Sequence, residues 1–366
     1  MTTDTVHFGI LGAHATIAAK HLDAIAAAGG AVTAYFDPGP EPPGFTGVPG
    51  TRCRDLGELL RTAPDVIAVL SPSNRHADDV EACLRAEADV VVEKPLALDI
   101  GRAADLIRLA DRLNRRLVVC LQHRFRESVQ TVRDLVRSGE LGSVQTVRLL
   151  VCEPRTAAYY TGRRWRGTWA GEGGGVLMNQ APHYVDLLTD VFGLPSSVVA
   201  RRRRQQHTIQ TEDTIDCLID WPSGCVGSLH ISTAERGPAE LLEVIGTGGW
   251  ITLSGTQVTV HRFATAFDRY LAEPDPFAVS AARTEPRVLD GAGGHRAIYQ
   301  ELLRIRRTGE RSRIEAVHCL DGLHLANAIT LSGLDDVHVE LPIDAAGYAE
   351  RLAVLMTGER AEQTAP

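Results

Sequence analysis

Between Val6 and Leu121 the chain alternates short apolar runs with amphipathic segments of helical length. That pattern leaves few folds open, because strands that are apolar throughout must be covered on both faces by the helices connecting them. The runs are Val6–Leu11, Ala31–Phe36, Val66–Leu70, Val90–Glu93 and Leu117–Leu121. The first connecting helix, Thr16 to about Ala28, places Ile17, His21, Leu22, Ile25 and Ala28 along one side and stops at Gly29-Gly30, where a helix end gains backbone freedom. Asp99 is an N-cap for another helix, with Ile100, Ala103, Ile107 and Ala110 on its buried side. Strands and helices in this order predict a doubly wound parallel sheet of the α/β class.

Beyond Leu121 the texture changes. A helix over roughly Ser128–Val136 is followed by strand-like runs at Val144–Val151, Val198–Arg203, Thr214–Leu218, Gly224–Ile231, Glu240–Ile245, Trp250–Leu253 and Gln257–His261, with one helix at Asn179–Val191. Short strands joined by Gly-containing turns predict a mainly antiparallel sheet flanked by helices, an α+β half. Gly167–Gly175 and Glu273–Gly294 read as loops. At 366 residues the chain exceeds what one core accommodates. The expected division is 1–121, 122–358 and a flexible tail at 359–366.

Composition excludes other classes. Hydrophobic residues at 44% and charged residues at 23% are those of a folded globular protein, not a disordered or fibrous one. The net charge of −8 argues against nucleic acid as a partner. Seven scattered cysteines without a Cys-x-x-Cys pair read as reduced core thiols, and no histidine or cysteine cluster has metal-ligand spacing, so no metal is expected. No apolar run approaches the roughly 18 residues of a membrane span, so no membrane partner is expected, and the N-terminus lacks a signal pattern; the expected location is the cytoplasm.

The first strand runs into Gly9-Ile-Leu-Gly12-Ala-His14-Ala-Thr16-Ile17-Ala18, the context of a dinucleotide-binding turn. Gly12 suits the tight turn, and the N–H groups near Thr16 and Ile17 offer an anion site at the helix start. His14 stands where a glycine normally approaches the pyrophosphate, and is itself a candidate phosphate donor. Asp37 closes the second strand, where a carboxylate accepts from the adenosine ribose and repels a 2′-phosphate; NAD is favoured over NADP.

Later segments carry a more specific signal. Val69-Leu-Ser71-Pro72-Ser-Asn74-Arg-His76, then Val92-Glu93-Lys94-Pro95, Gln122-His-Arg124-Phe, Gly173-Gly-Gly-Val-Leu-Met-Asn179-Gln-Ala-Pro-His183-Tyr-Val-Asp186, Glu212-Asp213-Thr, Asn327-Ala-Ile and Val339-Glu-Leu-Pro342 occur in this order. Together they resemble the signatures of the glucose-fructose oxidoreductase and inositol dehydrogenase (Gfo/Idh/MocA) family. The resemblance implies a Rossmann domain and a C-terminal domain on an open, mainly antiparallel sheet used for homo-oligomerisation, as dimer or tetramer. It implies NAD(P)-dependent chemistry at a sugar or cyclitol carbon, with Gly9, Gly12, His14, Thr16, Ile17, Asp37, Ser71, Pro72, Asn74, His76, Glu93, Lys94, Gln122 and Arg124 toward the cofactor. The resemblance also places Tyr160, Trp165, Arg166 and Trp169 toward the substrate, with Lys94, Arg124, Asn179 and His183.

It also implies His183 as general acid/base and Lys94 beside the reacting hydroxyl. Physical chemistry agrees: hydride leaves an alcohol carbon only as the hydroxyl proton is removed, and a neutral imidazole near a helix start is a suitable base. Asn179, four residues earlier, is expected on the same helical face. Asn stands where the family commonly has Asp and cannot exchange a proton, so its expected role is substrate hydrogen bonding. The aromatic and arginine-rich stretch Arg155–Trp169 suits a sugar, and Arg163, Arg164 and Arg166 suit a phosphate or carboxylate. Two other readings stay open: redox-neutral glycoside cleavage through a transient keto-sugar, and a binding protein without chemistry.

Overall fold

The computed structural model describes residues 5–42, 45, 47–289 and 293–363, without the side chains of 359–363. Strands β1 (His7–Leu11), β2 (Ala31–Phe36), β3 (Thr51–Arg52), β4 (Val66–Val69), β5 (Asp89–Val92) and β6 (Leu117–Val119) form a parallel sheet in the order β3-β2-β1-β4-β5-β6. The helices between them are α1 (Ala18–Ala28), α2 (Leu56–Arg61), α3 (His76–Arg85) and α4 (Ile100–Arg112). Strands β4 and β5 are buried along their whole length, as the apolar runs Val66–Val69 and Val90–Val92 require. The strand order reverses between β1 and β4, which opens a crevice at the carboxyl ends of the strands. Asp99 caps α4 by accepting from the Arg102 N–H at 2.8 Å. The edge strand β3 is exposed and carries no apolar signal, so the sequence pattern does not reveal it.

The remainder comprises α5 (Glu127–Arg137), β7 (Val144–Cys152), α6 (Ala157–Thr161), α7 (Trp169–Glu172), α8 (Val176–Asn179), α9 (Pro182–Phe192), β8 (Ser197–Arg203), β9 (Thr214–Asp220), β10 (Val226–Ser232), β11 (Leu241–Gly246), β12 (Gly249–Ser254), β13 (Gln257–Phe263), α10 (Phe267–Leu271), β14 (Ala282–Val288), α11 (Gly294–Thr308), α12 (Leu320–Asp335), β15 (Val339–Glu340) and α13 (Ala345–Gln363). The sheet order is β14-β13-β12-β11-β7-β10-β9-β8-β15, antiparallel except where β7 and β10 run parallel. Side chains from α5, α8, α9 and α12 cover one face with apolar residues. Val199 and Leu218 are exposed, on strands whose alternate residues are buried.

The packing departs from chain order. Ile298, Tyr299, Leu302 and Ile305 of α11 join Phe8, Ile10, Val66, Val91 and Val118 in the core on one face of the parallel sheet. A division at Leu121 assigns α11 to the second half, yet it closes the first. Two expected loops also contain regular structure. Gly167–Gly175 holds α7, and Glu273–Gly294 holds β14, an edge strand with one partner and no buried residue; 290–292 lie outside the described residues. The expected tail is helical through Gln363, as the end of α13, and 364–366 lie outside the described residues. No helix among the described residues is long and apolar enough to cross a membrane.

Candidate active site

The turn after β1 is built on Gly12. Its φ is +89°, and a Cβ there would lie 2.6 Å from the Leu70 carbonyl carbon, so only glycine fits. The His14 and Gly39 backbone N–H groups donate to the two oxygens of Asp37 at 2.8 and 2.7 Å. The His14 ring is buried edge-on to Phe45, its Nδ1 lies 3.4 Å from Asp37 Oδ1, and neither ring nitrogen completes a hydrogen bond. Thr16 is exposed and Ile17 is the cap residue of α1, and the Ala18 and Lys20 N–H groups that follow already donate to the Ala15 and Ile17 carbonyls at 2.9 and 3.0 Å. Gly9 is a packing glycine inside β1, because a Cβ would meet Pro64 at 3.1 Å and Leu59 at 3.2 Å; it does not belong to the cofactor turn.

After β4, Ser71 donates its hydroxyl to Asp79 at 2.6 Å, and Asn74 is exposed on the turn that follows Pro72. His76 is buried, with its nitrogens 2.7 Å from the Ser71 and Pro95 carbonyls, so it straps two cleft loops together and does not face a cofactor. Burial lowers its pKa, although these carbonyls oppose the shift. Glu93 likewise turns inward: His21 Nε2 and His295 Nε2 donate to it at 3.0 and 3.3 Å. Burial would raise Glu93, but the two histidines and Lys94 hold it well below the usual carboxylate range. Ligand-type atoms of His21, Glu93, Cys120 and His295 lie within 4.8 Å of one another, a grouping that sequence spacing does not reveal. It is accounted for as donors around one carboxylate.

Lys94, at the end of β5, donates Nζ to the backbone carbonyl of Asn179. Burial lowers its pKa, and Glu93, Glu172 and Glu153 pull the other way. His183 is the second residue of α9, which Pro182 opens, whereas Asn179 ends α8. The two do not share one helix: the chain breaks at Gln180-Ala181, and the proline at the first helical position is the signal that marks the boundary. His183 stacks on His123, with ring centroids 4.3 Å apart. Its Nε2 is 3.4 Å from Gln122 Nε2, and its Nδ1 is buried without a partner. Burial, then His123 and Lys94, hold His183 well below 6.5; burial and Arg126 push His123 down to about 3. Both rings are neutral near pH 7.

Sequence reasoning misses Glu172. It lies at the end of α7, buried, where Oε1 accepts from Asn179 Nδ2 and Oε2 from the Gly167 N–H. Burial pushes its carboxyl up to about 7 against the pull of these donors, Arg166 and Lys94. No local pattern marks it, since its environment is assembled from two loops and β5.

Several expected ligand contacts face elsewhere. Arg124 donates to Asp186 at 2.8 and 2.6 Å and to the Arg313 and His318 carbonyls at 2.6 Å, so it welds the end of β6 to α9 and reaches neither cofactor nor substrate. The Tyr160 hydroxyl is 2.8 Å from Thr233 Oγ1, inside the protein. Trp169 packs with Tyr348 and Leu352 of α13, and the Arg202 guanidinium lies 4.7 Å over its ring. Trp165 and Arg166 are half-buried, and the Arg166 guanidinium lies 3.8 Å over the Tyr159 ring. Tyr159, of the same aromatic stretch, accepts from Gln180 at 3.2 Å.

Buried polar atoms without partners include both His14 nitrogens, Gln122 Oε1 and His183 Nδ1. They lie at the carboxyl ends of β1 and β6 and at the start of α9, along the crevice. With Asp37 closing β2 and no Lys or Arg in residues 38–42, these polar groups fit NAD.

Comparison with known proteins gives the same family in both halves. A model described as the oxidoreductase family NAD-binding Rossmann fold matches residues 6–121, and one described as the GFO/IDH/MocA C-terminal domain matches residues 129–252. A scyllo-inositol 2-dehydrogenase (NADP(+)) from Bacillus subtilis is 23% identical over 263 residues, 72% of this chain and 67% of the relative. The next curated relatives are matched over less than half of their length. Among solved structures, the WlbA dehydrogenase of Chromobacterium violaceum, in complex with NADH and UDP-GlcNAcA, has a TM-score of 0.80 at 24% identity, over 94% of this chain and 98% of that one. The WlbA dehydrogenase of Bordetella pertussis, with the same ligands, has a TM-score of 0.79 at 26% identity, over 93% and 100%. This chain belongs to the GFO/IDH/MocA family of oxidoreductases, with an NAD-binding Rossmann domain at its N-terminal end.

Proposed function

We propose that the protein is an NAD-dependent dehydrogenase acting on a secondary alcohol of a sugar, sugar derivative or cyclitol. The observation that carries this reading is the buried, neutral His183 with an unpartnered Nδ1, in the same cleft as Lys94. NAD, when bound, accepts the hydride of the carbinol carbon. Gly12, the turn that leads into α1 and Asp37 are the groups suited to hold it, with Asn74 and Gln122 at the neighbouring strand ends. His183 takes the hydroxyl proton as the carbon is oxidised. Lys94, a cation beside that oxygen, stabilises the negative charge that develops there.

The substrate class is narrowed by charge. Arg155 lies near enough to Lys94 to influence its ionisation, and Arg166 stacks on Tyr159 beside exposed Arg163 and Arg164. Such a wall favours a sugar carrying a carboxylate or phosphate, and the two WlbA dehydrogenases solved with UDP-GlcNAcA support this. We further propose a cytoplasmic homo-oligomer joined through the face of the large sheet that exposes Val199, Leu218 and Val226.

The test is a panel of inositols, methyl glucosides, glucuronate and nucleotide-linked uronates, each incubated with NAD. Formation of reduced nicotinamide in step with a keto product supports the reading. Glycoside cleavage without net reduction identifies the redox-neutral alternative. Saturable NAD binding with neither reaction rejects both.

A further inference from the structure

Asn179 stands between the two charged groups of the cleft. Its backbone carbonyl accepts from Lys94 Nζ, and its side-chain Nδ2 donates to Glu172 Oε1. The other carboxylate oxygen accepts from the Gly167 N–H. A backbone N–H cannot reverse its polarity, so Oε2 is fixed as an acceptor. An unprotonated Oε1 is an acceptor as well, and only the NH2 side of the Asn179 amide can face it. The planar amide then carries Oδ1 on the side away from Glu172. An amide exchanges no proton, so the polarity that Asn179 shows to a ligand is chosen by its partner.

We propose that Glu172 is a positioning residue for the alcohol oxidation: its ionised carboxylate holds Asn179 by Nδ2 and so presents the amide oxygen to the substrate as a hydroxyl acceptor. The inference rests on the dehydrogenase reading above. Protonation of Glu172 places an O–H opposite Asn179. The amide then reverses, pairs its Oδ1 with that donor, and turns its NH2 toward the ligand. The ionised form suits an alcohol, which donates, and the protonated form suits the ketone, which only accepts.

The charged and titratable groups facing Glu172 are Arg166 from the loop before α7, Lys94 from the end of β5 and Tyr160 from α6. Lys94 in turn faces Glu93, Glu153 and Arg155. The cations favour the carboxylate, but burial outweighs them, and the change of charge falls at about 7.

The experiment compares wild type, E172Q, N179A and the double variant, all loaded with NAD. It uses the panel alcohol of highest kcat/KM. In wild type, KM for the alcohol rises about tenfold as the pH falls through about 7, the size of one lost hydrogen bond. In E172Q the glutamine carbonyl pairs with the fixed Gly167 N–H, and its NH2 faces Asn179. This variant therefore shows the raised KM at every pH, with unchanged NAD affinity. In the N179A background E172Q has no further effect on KM. Infrared difference spectra show a carboxylic acid band that titrates near neutrality in wild type and is missing from E172Q. The proposal is overturned if E172Q keeps the wild-type pH dependence, if the E172Q and N179A effects add, or if no such band exists. Absence of turnover with every alcohol at every pH instead removes the dehydrogenase reading, and the infrared titration still shows whether Glu172 carries a proton near neutrality.

Discussion

The imidazoles of His123 and His183 stack with centroids 4.3 Å apart and planes 21° apart. Neither ring can take up a proton without placing a charge in a buried stack that already faces Lys94. His123 thereby acts as a flat neutral wall that fixes the orientation of His183. His123→Phe, which keeps the wall, is expected to hold kcat within about threefold, whereas His123→Ala lowers kcat about tenfold by releasing the ring. Steady-state kinetics of the two variants checks this; equal effects would show that stacking plays no part.

The buried histidines set the acid limit of stability. His21, His76, His123 and His183 all have pKa values lowered by burial, so near pH 6 the unfolded chain binds protons that the folded chain refuses. Stability is complete above about 6.5 and is lost as the pH falls below it, by up to about 1.4 kcal/mol per unit for each such group. Glu172, raised to about 7, and His230, which its hydrogen bonds to Asp216 and Glu235 raise against burial, act in the opposite sense but are fewer. Thermal melts are expected to show Tm falling between about pH 7 and pH 5; a flat or rising Tm on acidification contradicts the assignment.

Arg124 and Asp186 form a buried bidentate pair, with both side chains 3% exposed. Removing one partner leaves an uncompensated charge in the interior. Arg124→Ala and Asp186→Ala are each expected to destabilise by about 3 to 5 kcal/mol. Chemical denaturation measures this, and a loss below about 1 kcal/mol would show that the pair is not buried as described.

Asp37 decides between the two nicotinamide cofactors. Its carboxylate, fixed by the His14 and Gly39 N–H groups, repels a 2′-phosphate. Wild type is expected to bind NAD at least tenfold more tightly than NADP, and Asp37→Ser to reduce that ratio about tenfold, a change of about 1.4 kcal/mol. Titration by fluorescence reads both constants; an unchanged ratio excludes Asp37 from cofactor choice.

The parts of the fold that the sequence makes legible are those where side-chain period and burial coincide. β2 begins and ends at the expected residues, and α1 stops at the expected Gly29, because apolar runs and a left-handed glycine are local signals. β14 is invisible for the converse reason: Ala282–Val288 mixes charges and a proline on an exposed edge and has no buried face to set a pattern. At the site, Lys94 and His183 are legible as motif residues, but the partners that decide their neighbours' roles are distant in sequence. Arg124 meets Asp186 across 62 residues and His21 meets Glu93 across 72, so which side chains turn inward is settled only by packing. Glu172 is hidden in the same way, because the burial that raises it comes from segments meeting around it.

The proposed removal of the hydroxyl proton by His183 during hydride transfer to NAD is decided by the rate of nicotinamide reduction in His183→Ala, measured at saturating alcohol and NAD beside the dissociation constant for NAD. The expected result is a kcat lowered by about 10² to 10⁴ with NAD affinity unchanged. Turnover by His183→Ala at the wild-type rate would contradict it.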